Sequence, residues 1–139
     1  MKTNKLIFLL ATIAILSLAG CSQTSDPRIE ALANCLVDKG VKEYGAFWCP
    51  SCAKQEKMFG NAYSIIKDKE VYIECDPRCS VPREDLPVAC KGVVGQTELC
   101  LEKGVSKYPH WEFSNGDILL GVQELKTLAD KAGCEYSEA

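Results

Sequence analysis

Val41-Lys42-Glu43-Tyr44-Gly45-Ala46-Phe47-Trp48-Cys49-Pro50-Ser51-Cys52 is the stretch on which the fold turns. Val41 to Trp48 reads as a strand. It is apolar from Tyr44 onward, which suits a strand covered on both faces. Pro50 to about Lys67 reads as a helix, with Phe59, Ala62, Tyr63 and Ile66 on one side and Gly60 marking a kink. Cys49 therefore stands where a strand gives way to a helix. A thiol at the first turn of a helix faces unpaired backbone N–H groups and the positive end of the helix dipole. Both favour the thiolate, which is the nucleophile. Cys52, three positions on, is placed to attack a mixed disulfide formed at Cys49. The pair implies thiol–disulfide exchange, a chemistry that needs neither cofactor nor metal.

Outward from this stretch, Asp26-Pro27 suits a helix start, and Ile29, Leu32, Ala33, Leu36 and Val37 recur at helical spacing up to Gly40. Val71 to Cys75 is a second strand. Residues 76–96 hold Pro77, Pro82, Pro87, Gly92 and Gly95 and read as an irregular loop. Thr97 is placed to cap a short helix ending at Gly104. Trp111 to Phe113, Asn115-Gly116 and Asp117 to Leu120 make a hairpin. Val122 to Ala132 is a last helix closed by Gly133. The order is helix, strand, helix, strand, helix, strand, strand, helix. An α/β unit that feeds a hairpin and a covering helix resembles the thioredoxin arrangement. That fold class is a central mixed sheet of about four strands flanked by helices, here with an extra N-terminal helix.

The chain has 139 residues, enough for one domain. Lys2 and Lys5 followed by the apolar run Leu6 to Leu18 read as a secretory signal, too short for a spanning helix. Leu18-Ala19-Gly20-Cys21 resembles a bacterial lipobox, which assigns residues 1–20 to the signal, Cys21 to lipidation and 21–27 to a tether. An ordinary signal cut near Gly20 is the alternative, and mass spectrometry of the mature N-terminus separates the two. The folded domain is expected over 28–136. The chain carries 16 basic and 19 acidic residues; loss of residues 1–20 takes two lysines and no acid, leaving 14 against 19 and a net charge of −5. This excludes nucleic acid as a partner and leaves membrane attachment to lipid chains. Nine cysteines suit an oxidising, exported location on the periplasmic or extracellular side.

CxxC by itself also fits half of a zinc site, with Cys75 and Cys79 as the other half. The strand-to-helix setting, the aromatic Phe47-Trp48 and the exported address favour redox chemistry. A single histidine, His110, completes no usual metal cluster and reads as a surface residue. In thioredoxin-like folds a cis-proline lies beside the CxxC, and Tyr108-Pro109, just before the third strand, is the candidate; a cis bond there frees neighbouring backbone groups to pair with an extended substrate, and the alternative is a trans proline that merely starts the strand. Trp48, Pro50, Tyr108 and Pro109 are the expected substrate-binding residues. Glu43 shares the parity of Gly45, Phe47 and Cys49, so its side chain points under the motif. There it is a candidate proton relay to Cys52; the alternative is an edge glutamate paired with a lysine.

Several runs, in order, resemble one family. They are Tyr44 to Cys52, Phe59-Gly60, Glu74-Cys75-Asp76-Pro77, Glu98-Leu99-Cys100 and Tyr108-Pro109-His110-Trp111-Glu112. The family is the thioredoxin-like domain fused to, or encoded beside, bacterial homologues of vitamin K epoxide reductase, and the resemblance spans about residues 30–134. It implies a domain that takes oxidising equivalents from a membrane quinone-linked oxidase and oxidises exported cysteine-containing proteins. It implies Cys49 as the attacking thiol, Cys52 as the resolving thiol, a cis bond at Pro109 and a Cys75–Cys100 disulfide. Three departures stand out. Ser51 replaces a common His, His110 replaces a common Thr, and residues 78–97 form a longer loop that adds Cys79 and Cys90. These two are expected to pair, which leaves Cys35 and Cys134 to tie the first helix to the last. Run in reverse, the same chemistry reduces or isomerises disulfides. A soft-metal lipoprotein and a domain with every cysteine locked are the remaining alternatives.

Overall fold

The computed structural model describes residues 25–138. The signal, Cys21 and the start of the tether lie outside the described residues. Helix α1, Pro27–Asp38, begins where the Asp26 carboxylate accepts the Arg28 backbone N–H. Strand β1, Lys42–Gly45, follows, then helices α2, Pro50–Phe59, and α3, Tyr63–Asp68, separated by a single 3₁₀ turn. After β2, Tyr72–Glu74, the chain makes three short 3₁₀ turns before α4, Thr97–Glu102. The hairpin of β3, His110–Glu112, and β4, Ile118–Leu120, leads to α5, Leu125–Ala132.

The four strands form one mixed sheet in the order β2-β1-β3-β4. β1 runs parallel to β2, pairing Glu43 with Tyr72, and antiparallel to β3, pairing Glu43 with Trp111. On one face, Trp111 and Tyr72 meet Leu32 and Leu36 of α1, Phe59 and Ile66 of α2 and α3, and Leu128 of α5. On the other, Tyr44 and Ile73 pack with Cys75 and Cys100, next to α4. Two packed layers cover a sheet too small to hold itself together. This is a thioredoxin-like fold.

Several boundaries differ from the sequence reading. β1 stops at Gly45, not Trp48, because Cys49 N donates to Ala46 O and turns the chain out of the ladder. The long helix not only kinks at Gly60, as the sequence suggests, but ends there and restarts at Tyr63; the Gly60 φ of 55° is one no L-residue adopts cheaply. The last helix begins at Leu125, not Val122. The buried Gln55 amide holds residue 123 outside the helix: its Nε2 donates to Gln123 O at 3.0 Å and its Oε1 accepts Gln123 N at 2.7 Å. Thr97 is the first helical residue and not the cap; its hydroxyl donates to Cys75 O.

Six cysteines form three disulfides. Cys35–Cys134 ties α1 to the segment after α5, Cys75–Cys100 ties β2 to α4, and Cys79–Cys90 closes the loop between them. Among the described residues no helix is long and apolar enough to cross a membrane.

Candidate active site

Cys49 is the N-cap of α2, and its Sγ accepts the Cys52 backbone N–H at 3.3 Å. Pro50, which has no N–H to donate, takes the first helical position, where none is needed. Cys49 and Cys52 are free thiols, each 6 % exposed, and pack with Ala46 and Tyr108. Burial, foremost, and the hydrogen bond with Cys49 push the Cys52 thiol far up; the Ala46 backbone N–H opposes them. Cys52 therefore keeps its proton where an ordinary thiol would lose it. Cys75 and Cys79, the partners a four-cysteine zinc site would need, are each bound in a disulfide.

Around the thiols stands an aromatic rim. Trp48, 55 % exposed, meets Tyr108 edge-on with ring centroids 6.1 Å apart. The Tyr108–Pro109 peptide is cis. Trp48 Nε1 donates to Asp76 Oδ2 at 2.7 Å. Arg78 grips the same carboxylate with Nε and Nη2 at 2.9 and 2.8 Å, and its guanidinium lies 4.8 Å from the centre of the Phe47 ring. The Arg78 hydrogen bonds, more than that of Trp48, hold the Asp76 carboxyl well below the usual carboxylate range. Asp76 thus locks the Trp48 indole beside Cys49. Asp76→Ala is expected to free the indole, raise its quenching by acrylamide, and slow exchange roughly 10-fold through lost positioning. Trp111, sealed in the core, leaves that quenching signal to Trp48.

Beneath the thiols, Glu43 is fully buried. Its Oε2 accepts from Tyr63 Oη at 3.0 Å, and among the described residues its Oε1 has no hydrogen-bond partner. Burial pushes its carboxyl up to about 8, with Tyr63 opposing and Glu56 adding to the rise. Gly45 separates the strand from Cys52. A Cβ there would come within 3.0 Å of Cys52 Sγ and 2.8 Å of the Tyr72 ring, so only glycine lets the sulfur settle onto β1. Tyr72 Oη donates in turn to Glu74 Oε2 at 2.8 Å, and Glu74 Oε1 accepts Asp76 N at 2.9 Å. Burial raises the Glu74 carboxyl, against those two hydrogen bonds.

A folded-state pKa near 8 on Glu43 fixes a sign. Between about pH 4.5 and 8 the folded chain holds a proton that the unfolded chain has lost, so stability falls across that window as pH rises. Below it both states are protonated and the full stability is present. Urea unfolding at pH 5 and pH 8 is expected to show this loss in the parent protein and much less of it in Glu43→Gln, whose amide oxygen still accepts from Tyr63.

The sequence placed Glu43, Trp48, Cys49, Pro50, Cys52, Tyr108 and Pro109 in one neighbourhood, and the structure gathers them there. His110 is different: it is buried against Tyr44, on the sheet face away from Glu43. Burial lowers the pKa of its ring, against the nearby Glu112. Sequence reasoning missed Gln55, Tyr63, Tyr72, Glu74, Asp76 and Arg78. Gln55 and Tyr63 carried a signal, since both sit on the apolar stripe of the helix with Phe59 and carry a polar atom. Glu74 carried one too, as a charge in an otherwise apolar strand.

No protein-family model matches the chain. Over 119 residues, 85 % of its length, it is 33 % identical to the thiol-disulfide oxidoreductase LTO1 of Arabidopsis thaliana. The chain spans only 28 % of that relative. The thioredoxin-like sheet, the buried dithiol at the head of α2 and this likeness together make the chain a homologue, over one part, of a thiol–disulfide oxidoreductase.

Proposed function

We propose that this protein is a thiol–disulfide oxidoreductase that exchanges disulfides with exported proteins through Cys49 and Cys52. The observation that carries this reading is the contrast within the cysteines. Among the described residues six are locked in disulfides, and the two left as thiols share the N-terminus of α2 above a buried acid.

Working as an oxidant, the protein starts with a Cys49–Cys52 disulfide. A substrate thiolate attacks Cys49 Sγ; the intramolecular S–S bond breaks and a mixed disulfide forms. Cys52 departs with the electron pair. Its burial makes a free thiolate costly, so it takes a proton from the Glu43 carboxyl. A second substrate thiolate then attacks the substrate sulfur and releases Cys49, leaving the substrate with one disulfide and the protein with two thiols. Reduction runs the same steps backwards, with Glu43 as base. A carboxyl titrating near neutral pH serves both directions.

Trp48 and Tyr108 flank the sulfur and supply the apolar rim for a peptide substrate, and Pro50 and Pro109 complete it. The expected setting is extracytoplasmic, with the chain held at the membrane through Cys21. The run of motifs shared with the domains that accompany vitamin K epoxide reductase homologues supports a membrane quinone-linked oxidase as the source of oxidising equivalents. The test is to mix oxidised protein with a reduced dithiol peptide. One peptide disulfide should appear for each pair of thiols at Cys49 and Cys52, well above the uncatalysed rate. A rate no faster than background overturns the reading.

A further inference from the structure

Each turnover adds or removes a proton at Cys52, and Glu43, which handles it, has no contact with solvent. In the mixed disulfide a substrate covers Cys49, Trp48 and Tyr108. A proton therefore needs a way between Glu43 and solvent that avoids the docking face.

One cleft lies off that face. A narrow cleft reaches Cys52 from the side of α3 and the Cys79–Cys90 loop. Tyr63, Tyr72 and Glu74 line it, together with Lys67 and Lys91, whereas Cys49, Trp48, Tyr108 and Pro109 do not. At this cleft Glu56 sits between the two lysines, 3.6 Å from Lys67 and 3.8 Å from Lys91. Tyr63 belongs to both regions: it lines the cleft, with its ring centre 5.7 Å from Lys67 Nζ, and its hydroxyl donates to Glu43 Oε2. No other hydroxyl among the described residues bonds Glu43. Tyr72, the other phenol of the cleft, is committed to Glu74.

We propose that Tyr63 is the positioning residue through which Glu43 exchanges protons with water in this cleft, on a route separate from the substrate face. The proposal rests on the relay role of Glu43. When Glu43 has given its proton to Cys52, the Tyr63 hydroxyl proton passes to Glu43 Oε2. In the same motion Tyr63 Oη takes a proton from cleft water, which draws one from bulk. Charge and protons balance, and no tyrosinate is left; burial makes that ion costly. Glu43 bonds Tyr63 of α3, pairs in the sheet with Tyr72 of β2 and Trp111 of β3, and acts through charge on Cys52 and Glu56 of α2. Burial first, then Glu43, Tyr72 and Glu56, disfavour negative charge on the Tyr63 hydroxyl, so the hops are concerted.

The test is single-turnover reduction of the oxidised protein by excess dithiothreitol from pH 5 to 9, followed by fluorescence, in H₂O and D₂O. Glu43→Gln and Tyr63→Phe are each expected to slow the step on the order of 10-fold or more and to flatten its pH profile. The double variant should be no slower than Glu43→Gln alone, and the equilibrium potential of Tyr63→Phe should stay near the parent's. Ala53→Trp narrows the cleft from an exposed wall position. It should slow the same step with both relay groups intact, and it decides the matter if Tyr63→Phe does not fold. A parent-like rate, profile and isotope effect in Tyr63→Phe, or in Ala53→Trp where that variant decides, with a slow Glu43→Gln overturns the route and leaves the relay standing. A parent-like Glu43→Gln overturns the relay and the route with it.

Discussion

Cys49→Ser is expected to reduce disulfide exchange to the uncatalysed rate, a loss on the order of 10³-fold or more, because the attacked and attacking sulfur is gone. Cys52→Ala is expected to fail differently. Cys49 remains at the head of α2 with its Sγ beside the position-52 N–H, so the first exchange still occurs. With no second sulfur, the mixed disulfide has no intramolecular exit and accumulates. Non-reducing electrophoresis of Cys52→Ala mixed with a disulfide-bonded substrate should show a covalent adduct that Cys49→Ser never forms. Equal adducts from the two variants would mean that the roles of the sulfurs are not distinct.

Removing the Cys35–Cys134 disulfide is the stability change with the largest expected effect. It joins residues 99 apart, so it closes nearly the whole domain into one loop. The chain-entropy model gives a bridge of that span about 4–5 kcal/mol, a large share of the roughly 5–15 kcal/mol that stabilises a whole domain. The bridge also sits where α1 and α5 cover the main core, with Leu32, Leu36 and Leu128 fully buried nearby. Cys35→Ala/Cys134→Ala is expected to shift the urea midpoint strongly downward. Cys79→Ala/Cys90→Ala, which opens a span of 11 residues, should cost less, roughly 3 kcal/mol, and act mainly on the loop. A loss below about 1 kcal/mol for the 35–134 pair would show that helix packing, not the bridge, holds the two ends together.

Local patterning carried much of this fold. The stripe Leu32, Ala33, Leu36 and the Asp26-Pro27 start announced α1, and Asn115-Gly116 announced the hairpin. What patterning missed depends on distant partners. Nothing in Ala46-Phe47-Trp48 says that the strand has ended; it ends because the Cys49 N–H turns back to Ala46 O and takes the chain out of the ladder. Nothing in Val122-Gln123-Glu124 says that the helix waits, because the buried amide that holds those residues lies 68 positions earlier. In the site, the direction of Glu43 followed from strand parity alone. Its phenol partner is 20 residues away on another element and could be placed only once α3 was folded onto β1. The Asp76–Arg78 grip on Trp48 likewise joins two loops, where periodicity has no reach.

Redox titration of the purified protein in glutathione buffers, with each cysteine read by thiol-specific labelling and peptide mapping, tests the central claim most directly. One two-electron transition confined to the peptide holding Cys49 and Cys52 is predicted, with the 35–134, 75–100 and 79–90 bridges intact throughout. A titration in which Cys49 and Cys52 never cycle together, or in which one of the other bridges opens first, would contradict it.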